Sequence, residues 1–419
     1  MLDAMTEASA LTFDDVRAAH ERIRPHVRRT PVLRSDYLDA LTGAALHFKC
    51  ENLQEAGAFK VRGATNAVFG LEAALAEKGV CTHSSGNHAL SLSWAAGRRG
   101  IPCHVVMPRT APEAKKYAVR RYGGTITECD PSTTSREAVF AEVQAATGGE
   151  FVHPYNDPRV ICGQATCAME LLEQVEGLEA VVAPIGGGGM ISGTCLTLSN
   201  VAPEVAVFAA EPQNADDAAR SLQAGRIIAD DAPDTVADGL KVPLKENTWH
   251  FVSRFVTDIP TATEAEIVDA MKLAWKHLRV VMEPSSAVAL AVVLKHRARF
   301  AGKRVGPAEV EALAHVRGVR EVAAVGVDDP HKGQRLVLVA IADESVSADL
   351  DTIGHRRSLA VQTGLGKPFS PARIHWVAEL PRTRNGKVLR RLIRSALEGK
   401  AIGDTSALDN PHALKSLTA

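Results

Sequence analysis

The sequence predicts an α/β protein built on a parallel sheet, followed by a smaller domain with a different organisation. Across Val80–Val181, strand-like apolar pieces alternate with helical patterns, which favours a parallel sheet with right-handed crossovers. At Val181–Gly193 an apolar strand runs into four consecutive glycines and then into a helix. After Gly302 the regular alternation stops. We therefore place a domain boundary within Phe300–Pro307.

The predicted elements follow from periodicity and from the residues that start and stop helices. A helix over Thr12–Val27 has Thr12 as a possible N-cap, and a second helix opens within Ala56–Ala64. Further helices are expected at Met190–Asn200, Ala262–Leu278 and Ala287–Arg299. Strands are expected at Arg29–Leu33, Ala45–Asn52, Val80–His83, His104–Met107, Thr125–Glu128, Glu150–His153 and Val205–Ala210. Beyond the boundary we expect a helix starting at Gly306–Glu311, a strand pair at Val319–Val327 and Arg335–Ala342, and a strand at Ile374–Val377.

Length and composition describe an ordinary cytoplasmic protein with a large core. The chain has 419 residues, 46% hydrophobic content and a net charge of −1, which gives no reason to propose a nucleic-acid partner. Its seven cysteines, from Cys50 to Cys195, show no C-x-x-C spacing and are interpreted as reduced thiols. The start of the chain does not resemble a signal peptide, and no apolar run reaches the ~20 residues that span a membrane.

The glycine loop, Gly186, Gly187, Gly188 and Gly189, is predicted to bind a phosphate. Backbone N–H groups can surround an oxyanion there, and the N-terminus of the following helix adds partial positive charge. A flexible linker is the alternative, but the flanking residues are apolar and periodic. The loop has neither the Lys-Ser/Thr of a Walker loop nor a full G-x-G-x-x-G pattern, so it does not indicate which phosphate compound binds.

Two further stretches carry reactive or polar groups. Lys60 lies between Phe59 and Val61, and apolar surroundings favour the neutral amine that a Schiff-base nucleophile needs. A lysine whose amine simply reaches water is the alternative. Thr82–His88 offers hydroxyls, amides and a helix N-terminus to a carboxylate, although Ser and Asn are also common helix caps.

Together these stretches resemble the fold-type II pyridoxal-phosphate enzymes, specifically the threonine dehydratase and serine racemase group. The matching motifs occur in the family's order over about residues 12–305: AFKVRGA, THSSGNHA, PYNDPRVICGQAT, PIGGGGMISG, AAEPQNADD, VADGLK, ENTW and MEPSSA. The resemblance implies a two-domain fold like that of the tryptophan synthase β subunit. Its large domain would comprise residues 1–51 plus 159–302, and its small domain, with the loop that binds the substrate carboxylate, residues 52–158.

The resemblance also implies roles for individual residues. Lys60 would form a Schiff base with pyridoxal phosphate and, with Ser85, would act as a catalytic residue. The other residues of the implied cofactor site are Phe59, Asn87, Gly186, Gly187, Gly188, Gly189, Met190, Gly239 and Glu283, and those of the implied substrate-carboxylate site are Ser84, Ser85, Asn87 and His88.

The implied activity is dehydration and deamination of L-threonine or L-serine to a 2-oxo acid and ammonia. Ser85 matches the second acid–base residue of the racemases, so an amino-acid racemase is the alternative, and hydroxyaspartate is a further possible substrate. Tyr155 favours the bacterial dehydratases over the animal racemases. The family also implies a homo-oligomer, dimeric or tetrameric, that acts on a small amino acid.

A divalent metal site is implied at Glu211, Ala215 and Asp217, where two carboxylates and a main-chain carbonyl would suit Mg²⁺ or Ca²⁺. The alternative is that Asn214 caps a helix whose first turn contains Asp216 and Asp217. Both arrangements can hold at once.

The segment from about residue 303 to the C-terminus resembles the small α+β C-terminal domain of acyl-CoA synthetases, which are adenylate-forming ligases. GKRVGPAEVEA, VREVAAVGVDDPHKGQRLVLVAI and ELPRTRNGKVLRRLIR carry this resemblance, and Lys387 matches the ligase lysine that contacts ATP phosphate. Dehydratases continue instead into a strand that ends in Ser, Thr or Cys followed by Gly-Gly-Asn, whose side chain bonds the pyridine nitrogen. No Gly-Gly pair follows here, so a core strand and that partner are expected to be missing. A non-catalytic fusion whose last domain binds a partner therefore stays open.

Overall fold

The computed structural model describes residues 7–230, 232–307, 319–329, 333–342, 373–382 and 390–400, with the short pieces 405, 408–410 and 412–415. The chain divides into two compact units, Met1–Ala312 and Leu313–Ala419. The finer division of the first unit into residues 1–51 plus 159–302 and residues 52–158 stays a prediction. Among the described residues, no helix is both long and apolar enough to cross a bilayer.

The helices and strands of the first unit agree closely with the periodicity of the sequence. Its helices are α1 (Phe13–Ile23), α2 (Asp36–Thr42), α3 (Lys60–Phe69), α4 (Ala73–Lys78), α5 (Asn87–Arg99), α6 (Glu113–Arg121), α7 (Thr133–Thr147), α8 (Pro158–Gln174), α9 (Gly189–Val201), α10 (Asp217–Ala224), α11 (Glu246–Phe255), α12 (Glu264–Leu278), α13 (Pro284–Lys295) and α14 (Arg297–Phe300). Its strands are β1 (Val32–Leu33), β2 (Ala45–Leu46), β3 (Phe48–Lys49), β4 (Val80–His83), β5 (Cys103–Pro108), β6 (Thr125–Cys129), β7 (Glu150–Phe151), β8 (Ala180–Pro184), β9 (Ala206–Pro212), β10 (Thr261–Ala262) and β11 (Arg304–Pro307).

Two parallel sheets organise this unit, as the alternating pattern predicts. One has the strand order β6-β5-β4-β7 and the other the order β10-β9-β8-β11-β2. All pairs within both sheets are parallel. In each sheet a strand ends in a short loop that leads into a helix, from β4 into α5 and from β8 into α9. The predicted α/β fold with a parallel sheet is confirmed.

Strand β11 corrects the expectation that a core strand is missing. Arg304–Pro307 lies between β8 and β2, with Val305 opposite Ala180 and Leu46. The side chain of Val305 is buried, and its carbonyl accepts a 2.8 Å bond from the amide of His47. The expected helix start at Gly306–Glu311 is also wrong for its first two residues, which belong to β11; the rest of it lies outside the described residues. Pro307 is tolerated because it ends the strand.

Glycines allow the three central helices to approach closely. A Cβ on Gly163 of α8 would lie 2.5 Å from the Cα of Gly63 on α3, and one on Gly193 of α9 would lie 2.5 Å from the amide of Ala165 on α8. Helix α8 therefore packs directly against both α3 and α9. This packing places the N-terminal turn of α3, which carries Lys60, beside the loop that opens α9.

The second unit contains a three-stranded sheet of β12 (Val319–Asp329), β13 (Gly333–Ala342) and β14 (Arg373–Trp376), in the order β12-β13-β14. The pair β12 and β13 is antiparallel and β14 runs parallel to β13, so the predicted strands are confirmed. Leu392 and Ile393 of α15 (Arg390–Leu397) belong to the core of this unit, and a short helix α16 (His412–Lys415) follows. Lys387, the predicted counterpart of the ligase lysine, lies outside the described residues.

Candidate active site

Lys60 is the first residue of α3, and its amine points back toward the end of β7. The amine Nζ donates a 3.0 Å hydrogen bond to the carbonyl of Pro154 and lies 5.0 Å from the ring centroid of Phe59. Phe59 precedes the helix and provides no side-chain cap. The amine is therefore held by a backbone carbonyl, within reach of the residues that follow Pro154.

The glycine loop lies against the residue that follows Pro154. A Cβ on Gly187 would lie 2.5 Å from the ring of Tyr155, and one on Gly189 would lie 2.9 Å from its Cβ. Gly188 has a φ of +85°, a left-handed conformation that glycine adopts without strain. No side chain caps the N-terminus of α9, and Met190 in its first turn is buried. The loop therefore has the shape and the exposed backbone dipoles that a phosphate needs.

The opposite end of the loop contacts the segment that carries Gly239. A Cβ on Gly186 would lie 2.7 Å from the Cα of Leu240. Gly239 itself donates a 3.0 Å bond from its amide to Oγ of Ser285, in the first turn of α13. The sequence analysis did not single out Ser285, although it lies in the MEPSSA motif.

The serine-rich loop between β4 and α5 completes the arrangement. Asn87 donates a 3.0 Å bond from Nδ2 to Oε2 of Glu283, the residue before α13. Ser84 accepts a 3.3 Å bond from the amide of Gly86 through its Oγ, and Ser85 is half-buried beside it. The contacts thus run from Lys60 through the glycine loop and Gly239 to Glu283 and Asn87, which brings the predicted cofactor residues together.

The side chain of His88 points away from a substrate carboxylate. It is 2% exposed, and its Nε2 lies 3.0 Å from the carbonyl of Val152. Burial and then the charge of Lys60 lower the pKa of His88 to about 3, so the imidazole is neutral. Of the groups on His88, only the backbone amide is placed to serve the predicted carboxylate site.

Helix N-termini at the site differ from those elsewhere in the unit. Helices α3, α5, α9 and α13 begin without a side-chain cap. By contrast, Thr12, Ser35, Ser132, Asp157 and Thr263 cap α1, α2, α7, α8 and α12. The N–H groups at the site are therefore available to anionic groups of a ligand.

The predicted metal residues lie on the strand beside the glycine loop. The amide of Ile185 bonds the carbonyl of Ala210, and Glu211 follows directly on β9. Glu211 is fully buried and accepts bonds of 2.9 and 2.8 Å from the amides at the start of α10, while Oδ2 of Asp217 is buried without a hydrogen-bond partner. Burial raises the pKa of Glu211 to about 9 and that of Asp217 to about 6. Ala215 is also buried.

This arrangement fits a divalent cation only in part. Within the described residues, no three or more His, Cys, Asp or Glu side chains are grouped to hold a metal. A cation between Glu211 and Asp217 would therefore need the carbonyl of Ala215 and water to complete its ligands. The unpartnered oxygen of Asp217 is the feature that favours it.

A buried ionic network next to the site was missed by the sequence analysis. Arg62, two residues after Lys60, bonds both oxygens of Glu51 and both of Glu170 at 2.7–2.8 Å, and Lys49 bonds Glu170 at 2.6 Å. These four side chains are at most 3% exposed, and their charges sum to zero. Periodicity gives no signal for such a network, because charged residues are normally expected at the surface.

A second missed group surrounds the end of β4. His83 lies 5.0 Å from Phe140 and 6.1 Å from His153, measured between ring centroids, and His153 lies 4.6 Å from Tyr155. Burial, followed by the charge of Arg136, lowers the pKa of His83, and burial lowers that of His153 to about 3. This wall of neutral rings faces the serine-rich loop.

The arrangement of a helix-opening lysine, an uncapped glycine loop and a serine-rich turn on two parallel sheets defines an enzyme that uses a phosphorylated aldehyde cofactor. The model of the pyridoxal-phosphate dependent enzymes matches residues 23–306, and the chain belongs to that family. It therefore has the type II fold and depends on pyridoxal phosphate, as predicted. A second model, the C-terminal domain of AMP-binding enzymes, matches residues 309–387.

Individual relatives include both dehydratases and racemases. The chain is 75% identical over 295 residues to the beta-hydroxyaspartate dehydratase of Paracoccus denitrificans (strain Pd 1222), covering 70% of this chain and 94% of the relative. It is 47% identical over 298 residues to the serine racemase of Arabidopsis thaliana, covering 71% and 90%. Among solved structures, maize serine racemase (TM-score 0.71, 44% identity, 72% and 93% covered) and the Dictyostelium discoideum serine racemase (0.69, 41%, 72% and 98%) are similar, as is a bacterial-type threonine deaminase (0.69, 38%, 72% and 98%). The chain thus belongs to the lyase and racemase branch of the family.

Proposed function

We propose that this protein dehydrates a β-hydroxy amino acid and releases a 2-oxo acid and ammonia. The observation that carries the proposal is the path from Lys60 through Pro154 and Tyr155 to the glycine loop, because it places an amine and a phosphate cradle on the two sides of one short segment. Two groups of a single cofactor could be held at these two places.

The cofactor site that we propose follows the predicted residues. Backbone N–H groups from Gly186 to Met190 would hold the phosphate, and Lys60 would hold the aldehyde carbon beside Phe59. Asn87, positioned by Glu283, would bond an oxygen of the ring, and Gly239 would lie against the ring because its missing side chain leaves room. When bound, pyridoxal phosphate withdraws electrons from the substrate α-carbon.

The protein groups then bind the substrate and move its protons. The uncapped N-terminus of α5, with Ser84, Ser85, Asn87 and the amide of His88, would bind the α-carboxylate. The Lys60 amine would take the α-proton on one face, and the β-hydroxyl would leave. The bond of Lys60 to Pro154 orients the amine for this step.

We propose β-hydroxyaspartate as the preferred substrate, with L-serine and L-threonine as slower ones. The 75% identity to a beta-hydroxyaspartate dehydratase supports this choice. So does Arg136 on α7, whose charge reaches both His83 and Tyr155 and whose Nε is buried without a hydrogen-bond partner. A guanidinium so placed suits the second carboxylate of a dicarboxylic substrate.

The substrate proposal is tested by comparing kcat/KM for the three amino acids, with 2-oxo acid formation as the readout. Arg136→Met should lower kcat/KM at least about tenfold for β-hydroxyaspartate and much less for L-serine, since a charge-assisted bond contributes about 1.5–3 kcal/mol. Arg121→Met, which removes an exposed arginine, is the matched control. Equal losses for both substrates would contradict the role of Arg136.

The assignment of Lys60 is tested separately by trapping. Borohydride reduction followed by mass spectrometry should place the cofactor on Lys60, and Lys60→Ala should lose both the adduct and turnover. An adduct on another lysine would contradict the proposed site. An absorbance band in the parent that never changes with any of the three substrates would favour the non-catalytic alternative.

Racemisation is the second candidate function, supported by Ser85 on the serine-rich loop and by the 47% identity to a serine racemase. Chiral chromatography of L-serine after incubation measures it. Ser85→Ala should abolish D-serine formation while dehydration continues. D-serine that forms at the parental rate in Ser85→Ala would exclude Ser85 from this role.

We also propose a divalent cation between Glu211, Asp217 and the carbonyl of Ala215. The buried, unpartnered oxygen of Asp217 supports it, because a cation would satisfy a group that is otherwise costly to bury. The remaining proposals, a homo-oligomer and the division into residues 1–51 plus 159–302, 52–158 and 303–419, rest on the family resemblance.

A further inference from the structure

The segment from Val152 to Tyr155 connects three parts of the site that belong to different elements. The carbonyl of Pro154 accepts the Lys60 amine, and Tyr155 packs against Gly187 and Gly189. The carbonyl of Val152 accepts hydrogen bonds from side chains of the third part, at the end of β4 and the start of α5. A shift of this one segment would therefore move the acceptor of Lys60 and the wall of the phosphate cradle together.

His88 fixes this segment from within the core. A carbonyl can only accept, so the proton of the neutral imidazole is on Nε2, which donates to Val152 at 3.0 Å. Thr82 donates its hydroxyl to the same carbonyl at 3.0 Å. Both donors are buried, with His88 2% and Thr82 0% exposed, so water cannot replace either bond.

The chemistry of His88 suits a fixed hydrogen-bond donor and not a proton carrier. Nδ1 of His88 is buried and has no hydrogen-bond partner in the described structure, so no proton path leads from it. A neutral imidazole also avoids placing a second positive charge beside Lys60. Histidine is thus the donor with the right length and charge for this place.

We propose that the side chain of His88 is a positioning residue that acts on Lys60 and on the glycine loop through Val152–Tyr155. The inference rests on the proposed function for its effect on turnover. It goes beyond that function because the imidazole acts through a backbone carbonyl of the core and takes no part in binding the substrate.

The first test uses hydrogen–deuterium exchange of the cofactor-free protein, which does not depend on activity. The amide of Val152 bonds Cys81, and those of Tyr155 and Asn156 bond Nδ1 of His153. His88→Leu should increase the exchange rate of these amides at least about tenfold. His88→Gln should restore slow exchange, because the Gln amide can donate to Val152 in place of Nε2.

Two further variants separate this role from general loss of packing. Thr82→Val removes the other donor to the same carbonyl and should give an intermediate increase in exchange, including if His88→Leu does not fold. Ser91→Ala lies one turn further on α5, where the buried hydroxyl lacks a hydrogen-bond partner in the described structure, and should match the parent.

In the holoenzyme, His88→Leu should lower kcat at least about tenfold and change KM less than about threefold, with rescue by His88→Gln. Parental exchange over residues 152–156 in His88→Leu would overturn the proposal, and so would a failure of His88→Gln to restore it. A parent without dehydratase activity would refute the proposed function, while the exchange results would still decide the role of His88.

Discussion

Glu211 should make the stability of this protein fall as pH rises, unless a cation is bound. Its carboxyl group is fully buried, and burial raises its pKa from 4.5 to about 9, although the amides of Ala218 and Ala219 oppose the shift. Between these values the folded protein holds a proton that the unfolded chain has lost. Stability is therefore complete below pH 4.5 and decreases up to about pH 9.

The size of the effect follows from the shift. Each pH unit within the window lowers the free energy of unfolding by about 1.4 kcal/mol, so about 3 kcal/mol is lost by pH 7 and about 6 kcal/mol over the whole window. Asp217, with its pKa raised from 3.8 to about 6, adds a loss of the same sign at lower pH. A cation binds only the ionised carboxylates, so it binds more tightly as pH rises and offsets the loss.

The assay is urea unfolding of the protein at pH 6, 7 and 8, with either a chelator or Mg²⁺. In chelator, the parent should lose about 1.4 kcal/mol per pH unit more than Glu211→Gln, because the variant has no group that titrates there. Mg²⁺ should remove most of this difference in the parent and change the variant little. Glu204→Gln, which removes an exposed carboxyl just before β9, should behave like the parent.

Two results would refute the reasoning. Parallel pH profiles of the parent and Glu211→Gln in chelator would show that the buried carboxyl is already ionised in the folded protein. Equal stabilisation of both proteins by Mg²⁺ would show that the cation binds elsewhere.

Three further predictions concern the cofactor site and its support. Gly187→Ala should weaken pyridoxal-phosphate binding at least about tenfold in an absorbance titration, because its Cβ would lie 2.5 Å from the Tyr155 ring; unchanged affinity would mean that the ring moves aside. Arg62→Met should lower the free energy of unfolding by about 3–5 kcal/mol, because Glu51 and Glu170 lose their buried partner, and a loss below about 1 kcal/mol would contradict this. Replacing the residues after Val305 by an apolar strand ending in Ser-Gly-Gly-Asn should raise cofactor affinity and activity; a parent that already equals this chimaera would show that the motif is not needed.

Local elements could be predicted from the sequence because their signals are local. Strand β4 has the predicted bounds, Val80–His83, and Thr12 caps α1 through a capping box as its position suggests. The four glycines end β8 and open α9 because glycine tolerates the left-handed turn at Gly188. Each of these features depends on residues within a few positions of one another.

The assembly of the site could not be predicted from such signals. The bond between Asn87 and Glu283 joins residues 196 positions apart, and Arg62 reaches Glu170 across 108 positions. Family resemblance supplied the first pair as two cofactor residues but not their contact. It supplied neither the ionic network nor the inward direction of His88, because a motif records which residues occur and not which way their side chains point.

Strand β11 shows why the missing dehydratase motif does not imply a missing strand. Its pairing with β2 and β8 uses backbone groups, and only Val305 must be apolar to fill the core between them. Gly302–Gly306 reads alike in the dehydratases and in the ligase domain, so a recombination between two genes within this stretch would preserve the pairing whichever parent supplied the residues that follow. The backbone of the sheet is thus insensitive to the seam, whereas a specific side chain such as a partner for the pyridine nitrogen is not. Any functional defect of the fusion should therefore appear in cofactor binding and not in the folding of the sheet.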